Sequence, residues 1–128
     1  MMSIYPLIAD QVSRSFGKVT AVRDASLTLN PGEITTLIGS SGSGKTTFLR
    51  LLAGMERPDR GQILSGDTVL ASATRHVPIE KRKIGLVFQD FALFPNMTVL
   101  QNVMFGLRHL PKAERVRVAD SWIEQLGL

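Results

Sequence analysis

The chain has no cysteine, and one tryptophan and one tyrosine among its 128 residues. Without cysteine there is no disulfide framework and no cysteine-ligated zinc or iron–sulfur centre. That usage is compatible with a reducing cytosol. Long apolar runs are missing too. The longest uncharged stretch, Phe91 to Leu107, is 17 residues and carries Pro95, Asn96, Gln101 and Asn102. It is too short and too polar to cross a bilayer. Met1 to Asp10 lacks the basic head and apolar centre of a secretory leader. Charge of one sign is also scarce, with 15 Lys and Arg against 11 Asp and Glu, a formal charge of +4. That excess suits anionic ligands such as phosphates and is too small to indicate nucleic-acid binding without a basic stripe. The run Lys81-Arg82-Lys83 has no interleaved aromatics and reads as a solvated loop.

What remains is ordinary globular composition, 44% apolar and 20% charged, which argues against disorder. The length predicts one domain, or one domain cut short. No internal repeat or low-complexity segment is visible. Before residue 39 the chain reads as strands: Val19 to Asn30 alternates loosely, and Ala25 to Leu29 strictly. Asn30-Pro-Gly32 is a turn signal. Ile34 to Ile38 is a short β-branched run, predicted to be a buried strand. A glycine-rich loop, Gly39 to Gly44, leads into a predicted helix from about Lys45 to Ala53, with Phe48, Leu49, Leu51 and Leu52 apolar and Gly54 ending it. Short strands and turns follow from Pro58 to Ala71, residues 72–83 read as loop, and Ile84 to Phe88 as another buried strand. Two helices finish the chain. One begins at the capping box Thr98-Val-Leu-Gln101; the other begins near Pro111, carries Val116, Ala119, Ile123 and Leu126 at helical spacing, and stops at Gly127. The series is an α/β pattern.

Gly39-Ser-Ser-Gly-Ser-Gly-Lys-Thr46 matches G-x-x-x-x-G-K-[ST], directly after a predicted strand and opening a predicted helix. Each part has a physical use. The glycines let the backbone turn and approach a ligand closely. Successive N–H groups form a nest for phosphate oxygens, and the helix adds the positive end of its dipole. The Lys45 ammonium reaches terminal phosphates, and the Thr46 hydroxyl is a ligand for Mg²⁺. A mere glycine-rich helix cap is the blander alternative, and pattern with context disfavours it. Asp90, ending Ile84-Gly-Leu-Val-Phe-Gln-Asp90, is the one candidate for an acidic strand end. A solvated loop carboxylate is the preferred reading there, so no base for an attacking water is evident. His76 and His109 read as solvated, and Trp122 as packing on the last helix.

With these residues the chain resembles the ATP-binding subunit of an ABC transporter, importer type. Phe16-Gly17 is similar to the family's adenine-stacking position. Asn30-Pro-Gly-Glu33, Leu51-Leu-Ala-Gly54 with Pro58 and Gly61, and Ile84-Gly-Leu-Val-Phe-Gln89 follow in the family's order, and Ala92 to Val99 with Asn102-Val103 and Phe105-Gly-Leu107 resembles the start of its helical subdomain. The resemblance implies a P-loop NTPase (ABC-type) partial core with an N-terminal antiparallel β subdomain. Residues 4–90 would be that subdomain plus the phosphate-loop core, and residues 91–128 the start of the helical subdomain. It implies an ATP and Mg²⁺ site made by Phe16, Gly39, Ser40, Ser41, Gly42, Ser43, Gly44, Lys45, Thr46 and Thr47. Lys45 stabilises phosphate charge, Gln89 positions water and Mg²⁺, and Thr46 and Gln89 are the metal ligands. It further implies transmembrane permease subunits and a second copy as partners, a cytoplasmic place on the inner face of the membrane, and no nucleic acid. Ferric iron, polyamines or sugars are the solutes its wording resembles, iron first.

The family's later motifs, among them its magnesium aspartate and catalytic glutamate, do not occur in the 128 residues, so the chain is expected to hold ATP without cleaving it. Phe88, Met104, Trp122 and Leu126 are then expected to be exposed. Two alternatives stand beside this reading. One is a small P-loop kinase with Arg75, Arg82, Arg115 and Arg117 available for a lid. The other is a non-catalytic nucleotide-binding remnant.

Overall fold

The computed structural model describes residues 5–90 and 92–127. Expectations that fall on residues 1–4, on Phe91 and on Leu128 lie outside the described residues. The chain forms two compact units, Met1–Leu86 and Val87–Leu128.

The first unit is built on a four-stranded antiparallel sheet. Its strands are β1 (Leu7–Phe16), β2 (Val19–Leu29), β3 (Arg60–Ser65) and β4 (Thr68–Ser72), in the order β2-β1-β3-β4. A two-residue turn joins β1 to β2, pairing Phe16 with Val19 and Leu7 with Leu29. The register shifts around Gln11 and Asp24, which carry φ values of 50° and 42°. Such bulges bend a hairpin and sharpen its twist. The inward face of the sheet supplies Ala9, Val12, Val22, Ile63, Leu70 and Ala71, all buried.

Helix α1 (Lys45–Ala53) closes this core with Phe48, Leu51 and Leu52, an i, i+3, i+4 stripe. Leu49, expected on the apolar face, is exposed. It lies about 100° round the helix from Phe48, off the stripe. Gly54 ends α1 in the left-handed conformation, as its position in the sequence predicts, and its N–H donates to the carbonyls of Arg50 and Leu51.

Two expected strands are not in a sheet among the described residues. Ile34 to Ile38 and Ile84 to Phe88 are irregular, with Ile34 99% and Val87 96% exposed. β-Branched runs favour a strand only when a neighbour completes the hydrogen-bond ladder. No described strand pairs with either run. The segment 72–83, expected to be loop throughout, contains the short helix α2 (Ile79–Arg82).

The second unit holds α3 (Val99–Phe105) and α4 (Lys112–Leu126). The capping box forms as read: the Thr98 hydroxyl accepts from the Gln101 N–H at 3.2 Å, and the Gln101 side chain accepts from the Thr98 N–H at 2.8 Å. The Asn102 amide clamps the preceding loop, donating to the carbonyls of Phe94, Met97 and Thr98 while accepting from the Phe94 N–H at 2.8 Å. The Phe94 and Phe105 rings meet at 4.3 Å. Ala119 is the buried contact of α4, and Trp122, read as a packing side chain that is left exposed in these 128 residues, is 53% exposed. Phe88 and Leu126 are exposed as expected, and Met104 is half-buried.

Candidate phosphate site

The loop before α1 has the geometry its sequence requires. Gly42 and Gly44 carry φ values of 77° and 89°. Gly44 matters for a second reason: a Cβ there would lie 2.1 Å from the carbonyl oxygen of Ala21 in β2. The loop rests directly on the sheet backbone, and only glycine permits that approach.

The first turn of α1 is electropositive and unsatisfied. Gly44 provides no side-chain cap, and the first turn contains no acidic residue. The first intrahelical bond is Phe48 N–H to the Gly44 carbonyl at 2.8 Å. The N–H groups of Lys45, Thr46 and Thr47 precede the helical ladder, with no backbone partner among the described residues. Together with the helix dipole they form an anion-binding end.

Lys45 folds back over the loop. Its ammonium donates to the carbonyl oxygens of Gly39 and Ser40 at 2.7 and 2.6 Å and to the Ser43 hydroxyl at 3.2 Å. Ser43 N–H closes the loop onto the Ser40 carbonyl at 3.2 Å. One cation thus ties together two loop carbonyls and the Ser43 hydroxyl beside the first turn of α1. A cavity of about 380 Å³ opens beside the loop, its walls including Ala21, Val22, Gly39, Ser43, Lys45 and Phe48. Ser40, Ser41 and Thr46 are exposed, and Thr47 is half-buried. The Thr46 hydroxyl has no hydrogen-bond partner among the described residues, so it is available as a hard oxygen ligand of the kind Mg²⁺ takes.

Phe16 ends β1 and is 45% exposed. It does not line the cavity beside the loop. Gln89 belongs to the second unit, in an exposed turn with Asp90. His76 and His109 are exposed, and Lys81 and Lys83 likewise.

Arg82 departs from its reading as a solvated loop residue. It is 7% exposed. Its guanidinium donates to the carbonyls of Leu51 and Leu52, the last turn of α1, at 3.0 and 3.1 Å, and to the Val77 carbonyl at 2.8 Å. It packs against Gly54, where a Cβ would come within 2.4 Å of the Arg82 Nε. A buried cation at a helix C-terminus opposes the negative end of the dipole. Burial pushes the guanidinium pKa below its ordinary value. The sequence offered one signal for this role, the apolar Ile79 and Ile84 on either side of a basic run.

A glycine-rich loop ending in Lys45-Thr46 at the start of a helix is the mark of the P-loop nucleotide-binding class. The ABC transporter family profile matches residues 22–128, and the chain belongs to that family. It is 42% identical over its whole length to the "Fe(3+) ions import ATP-binding protein FbpC" of Agrobacterium fabrum, covering 36% of that protein. It is 49% identical over 81% of its length to the "Sulfate/thiosulfate import ATP-binding protein CysA" of Nitrosomonas europaea, covering 28%. It is 46% identical over 91% of its length to the "Trehalose/maltose import ATP-binding protein MalK" of Thermococcus litoralis, covering 32%. The chain thus spans about a third of the length of these curated relatives. Among solved structures it is similar to "Dimeric Structure of MJ0796, a Bacterial ABC Transporter Cassette", with TM-score 0.79 and 26% identity over 95% of this chain and 57% of that one. A second structure of that cassette, bound to ADP and Pi, matches with TM-score 0.78 at 26% identity, with the same coverage of both chains. The fold is that of an ABC-type P-loop core, represented in part.

Proposed function

We propose that the chain holds Mg-ATP at residues 39–47 and serves as the ATP-binding part of an importer. The observation that carries this is the loop itself: Lys45 donates to the Gly39 and Ser40 carbonyls beside an α1 first turn that has no side-chain cap and no acidic residue. Lys45 offsets phosphate charge, Phe16 stacks on the base, and Thr46 and Gln89 take the metal. Bound Mg²⁺ neutralises charge on the phosphates. The 128 residues contain no apolar strand ending in a catalytic acid, and Asp90 sits in an exposed turn. These 128 residues, taken alone, are expected to bind ATP without turnover.

Partners follow from the same reading: a second copy of the subunit and transmembrane permease subunits, the latter meeting the Gln89 to Thr98 region. No helix of the described residues is long and apolar enough to cross a membrane. The importer reading implies a peripheral place on the inner face of the cell membrane. Relatives that import ferric iron, sulfate, polyamines or sugars are 42–49% identical to this chain. Residues shared so evenly do not select a solute, and ferric iron is the first to test. The kinase alternative loses two of its lid arginines. Arg82 is committed to α1, and Arg115 donates to the Leu110 carbonyl at 3.0 Å.

The test is calorimetric titration of the purified chain with Mg-ATP. Lys45→Ala removes a charge close to the phosphates. At an effective dielectric of about 20 such a contact is worth about 3–4 kcal/mol, so affinity falls by at least about 100-fold. An unchanged affinity, or phosphate release that Lys45→Ala abolishes, overturns the reading of the site or of its lack of turnover respectively.

A further inference from the structure

Residues two apart on a strand share a face, and β1 puts Arg14 beside Phe16. The Arg14 guanidinium carbon lies 4.7 Å from the Phe16 ring centroid. A cation at that distance over a ring is attracted to its negative face. Arg14 is not free to leave. Its Nη1 donates to Asp59 at 2.8 Å and its Nη2 to Glu56 at 3.0 Å. Asp59 is itself oriented, because its second carboxylate oxygen accepts the Ser15 N–H at 2.7 Å and its own N–H donates to the Ser13 carbonyl at 2.8 Å. Glu56 is tied to the helix that follows the phosphate loop, its N–H donating to the Arg50 carbonyl of α1 at 3.2 Å. A continuous set of contacts thus runs from α1 through Glu56 and Arg14 to the Phe16 ring.

With one ring face covered by a held cation, the other is the face left for a planar ligand. We propose that Arg14 is a positioning residue of the base site: clamped by Glu56 and Asp59, it fixes the Phe16 ring so that a single face meets the purine, at a set distance from the phosphate loop. This rests on the reading of Phe16 as the base platform. Arg14 touches no nucleotide in this account and acts through the ring. Because the clamp begins at the end of α1, the spacing between base and triphosphate is built into one rigid frame. A ligand with both parts gains from it, and a bare polyphosphate does not.

The experiment compares Mg-ATP with Mg-tripolyphosphate, which has the phosphates and no base, by calorimetric titration of the whole chain. Base–aromatic stacking corresponds to a factor of about 10 in affinity or more. Phe16→Ala is expected to lower ATP affinity by about that factor and to leave tripolyphosphate unchanged. Arg14→Met is expected to lower ATP affinity about 3–10-fold, also without effect on tripolyphosphate. Arg14→Lys, which keeps the charge but not the fork, recovers part of the loss. Asp59→Asn, which leaves the Arg14 cation in place with one partner weakened, moves the ratio in the same direction and serves should Arg14→Met not fold. In the double variant of Arg14 and Phe16 the losses do not add. If the Arg14 and Asp59 variants weaken both ligands equally, or change neither, the proposal is overturned and their role is structural only. If Phe16→Ala leaves the ATP-to-tripolyphosphate ratio unchanged, the base platform is elsewhere. If the parent chain binds neither ligand, the phosphate site itself is refuted, and the proposal with it.

Discussion

Replacing Arg82 with methionine removes a buried charge of nearly the same volume and leaves its acceptors behind. Three carbonyls lose short charge-assisted bonds: Val77 at 2.8 Å, Leu51 at 3.0 Å and Leu52 at 3.1 Å. Leu70 lies further away, at 3.5 Å. The Leu51 carbonyl keeps the Gly54 N–H at 3.2 Å, so the cost falls mainly on Leu52 and Val77, at about 1–3 kcal/mol for each buried acceptor left without a donor. Against this, burying the guanidinium already carries a desolvation penalty of several kcal/mol that the variant escapes. The helix end also recovers some hydrogen bonding from water entering the vacated site. The net loss is expected at about 3–4 kcal/mol, a large share of the about 5–15 kcal/mol that stabilises an ordinary domain. Urea unfolding followed by circular dichroism measures it. With a slope of about 1–3 kcal/mol/M, the midpoint falls by about 2 M. Arg82→Lys, with three donors on a point charge, restores about half. A change below about 0.5 kcal/mol in the methionine variant would show that the α1 carbonyls are satisfied without Arg82, and the account of the helix end would fail.

Gly44→Ala forces a Cβ to 2.1 Å from the Ala21 carbonyl oxygen, at a φ of 89° that alanine avoids. The loop must lift from β2, so Mg-ATP affinity and thermal stability fall together, and retention of both would refute the close approach. The Asp59 carboxyl is held below its ordinary value of 3.8, by the Ser15 N–H first and the Arg14 guanidinium after it, against partial desolvation. A carboxylate depressed in the folded state stabilises it above the unfolded pKa and loses that contribution as pH falls through the folded value. The Asp59 arm of the Arg14 clamp therefore persists through mildly acidic conditions and is lost only as pH falls below 3.8; a carboxyl chemical-shift titration of Asp59 with its midpoint at or above that value contradicts this.

The helix ends were legible because each is a local device. Thr98 with Gln101, Gly54 and Gly127 act within four residues of themselves, and all three end or begin helices where the sequence puts them. The loop at Gly39 to Thr46 was legible for the same reason. The two unformed strands show the limit. Ile34 to Ile38 and Ile84 to Phe88 have the composition of buried strands, but composition says nothing of which neighbours complete the ladder. Arg82 and Arg14 were missed by an opposite route. Arg82 read as a solvated loop charge and Arg14 carried no signal, since their partners are distant in sequence: 31 residues from Arg82 to Leu51 and 45 from Arg14 to Asp59. An arginine that donates to carbonyls or bridges two carboxylates looks the same, in one dimension, as one that faces water.

The unpaired state of Ile34 to Ile38 raises the question of what places the phosphate loop. The described contacts answer it from the other side. At its N-terminus α1 is seated by Gly44 on the backbone of Ala21. At its C-terminus it is held by Arg82 through the Leu51 and Leu52 carbonyls. Between them Phe48, Leu51 and Leu52 bury against the sheet. A helix fixed at both ends and along one stripe has little freedom to slide, since each apolar contact and each capped carbonyl resists the same displacement. The irregular run entering the loop, Ile34 to Ile38, is not among these contacts. The antiparallel sheet is therefore more than an accessory to the phosphate site: it is the surface on which the site's helix is mounted. Through Glu56 and Arg14 the same mounting extends to Phe16. Substitutions that loosen the sheet's grip on α1 are then expected to weaken triphosphate and base recognition together, whereas those confined to the Arg14 clamp separate the two.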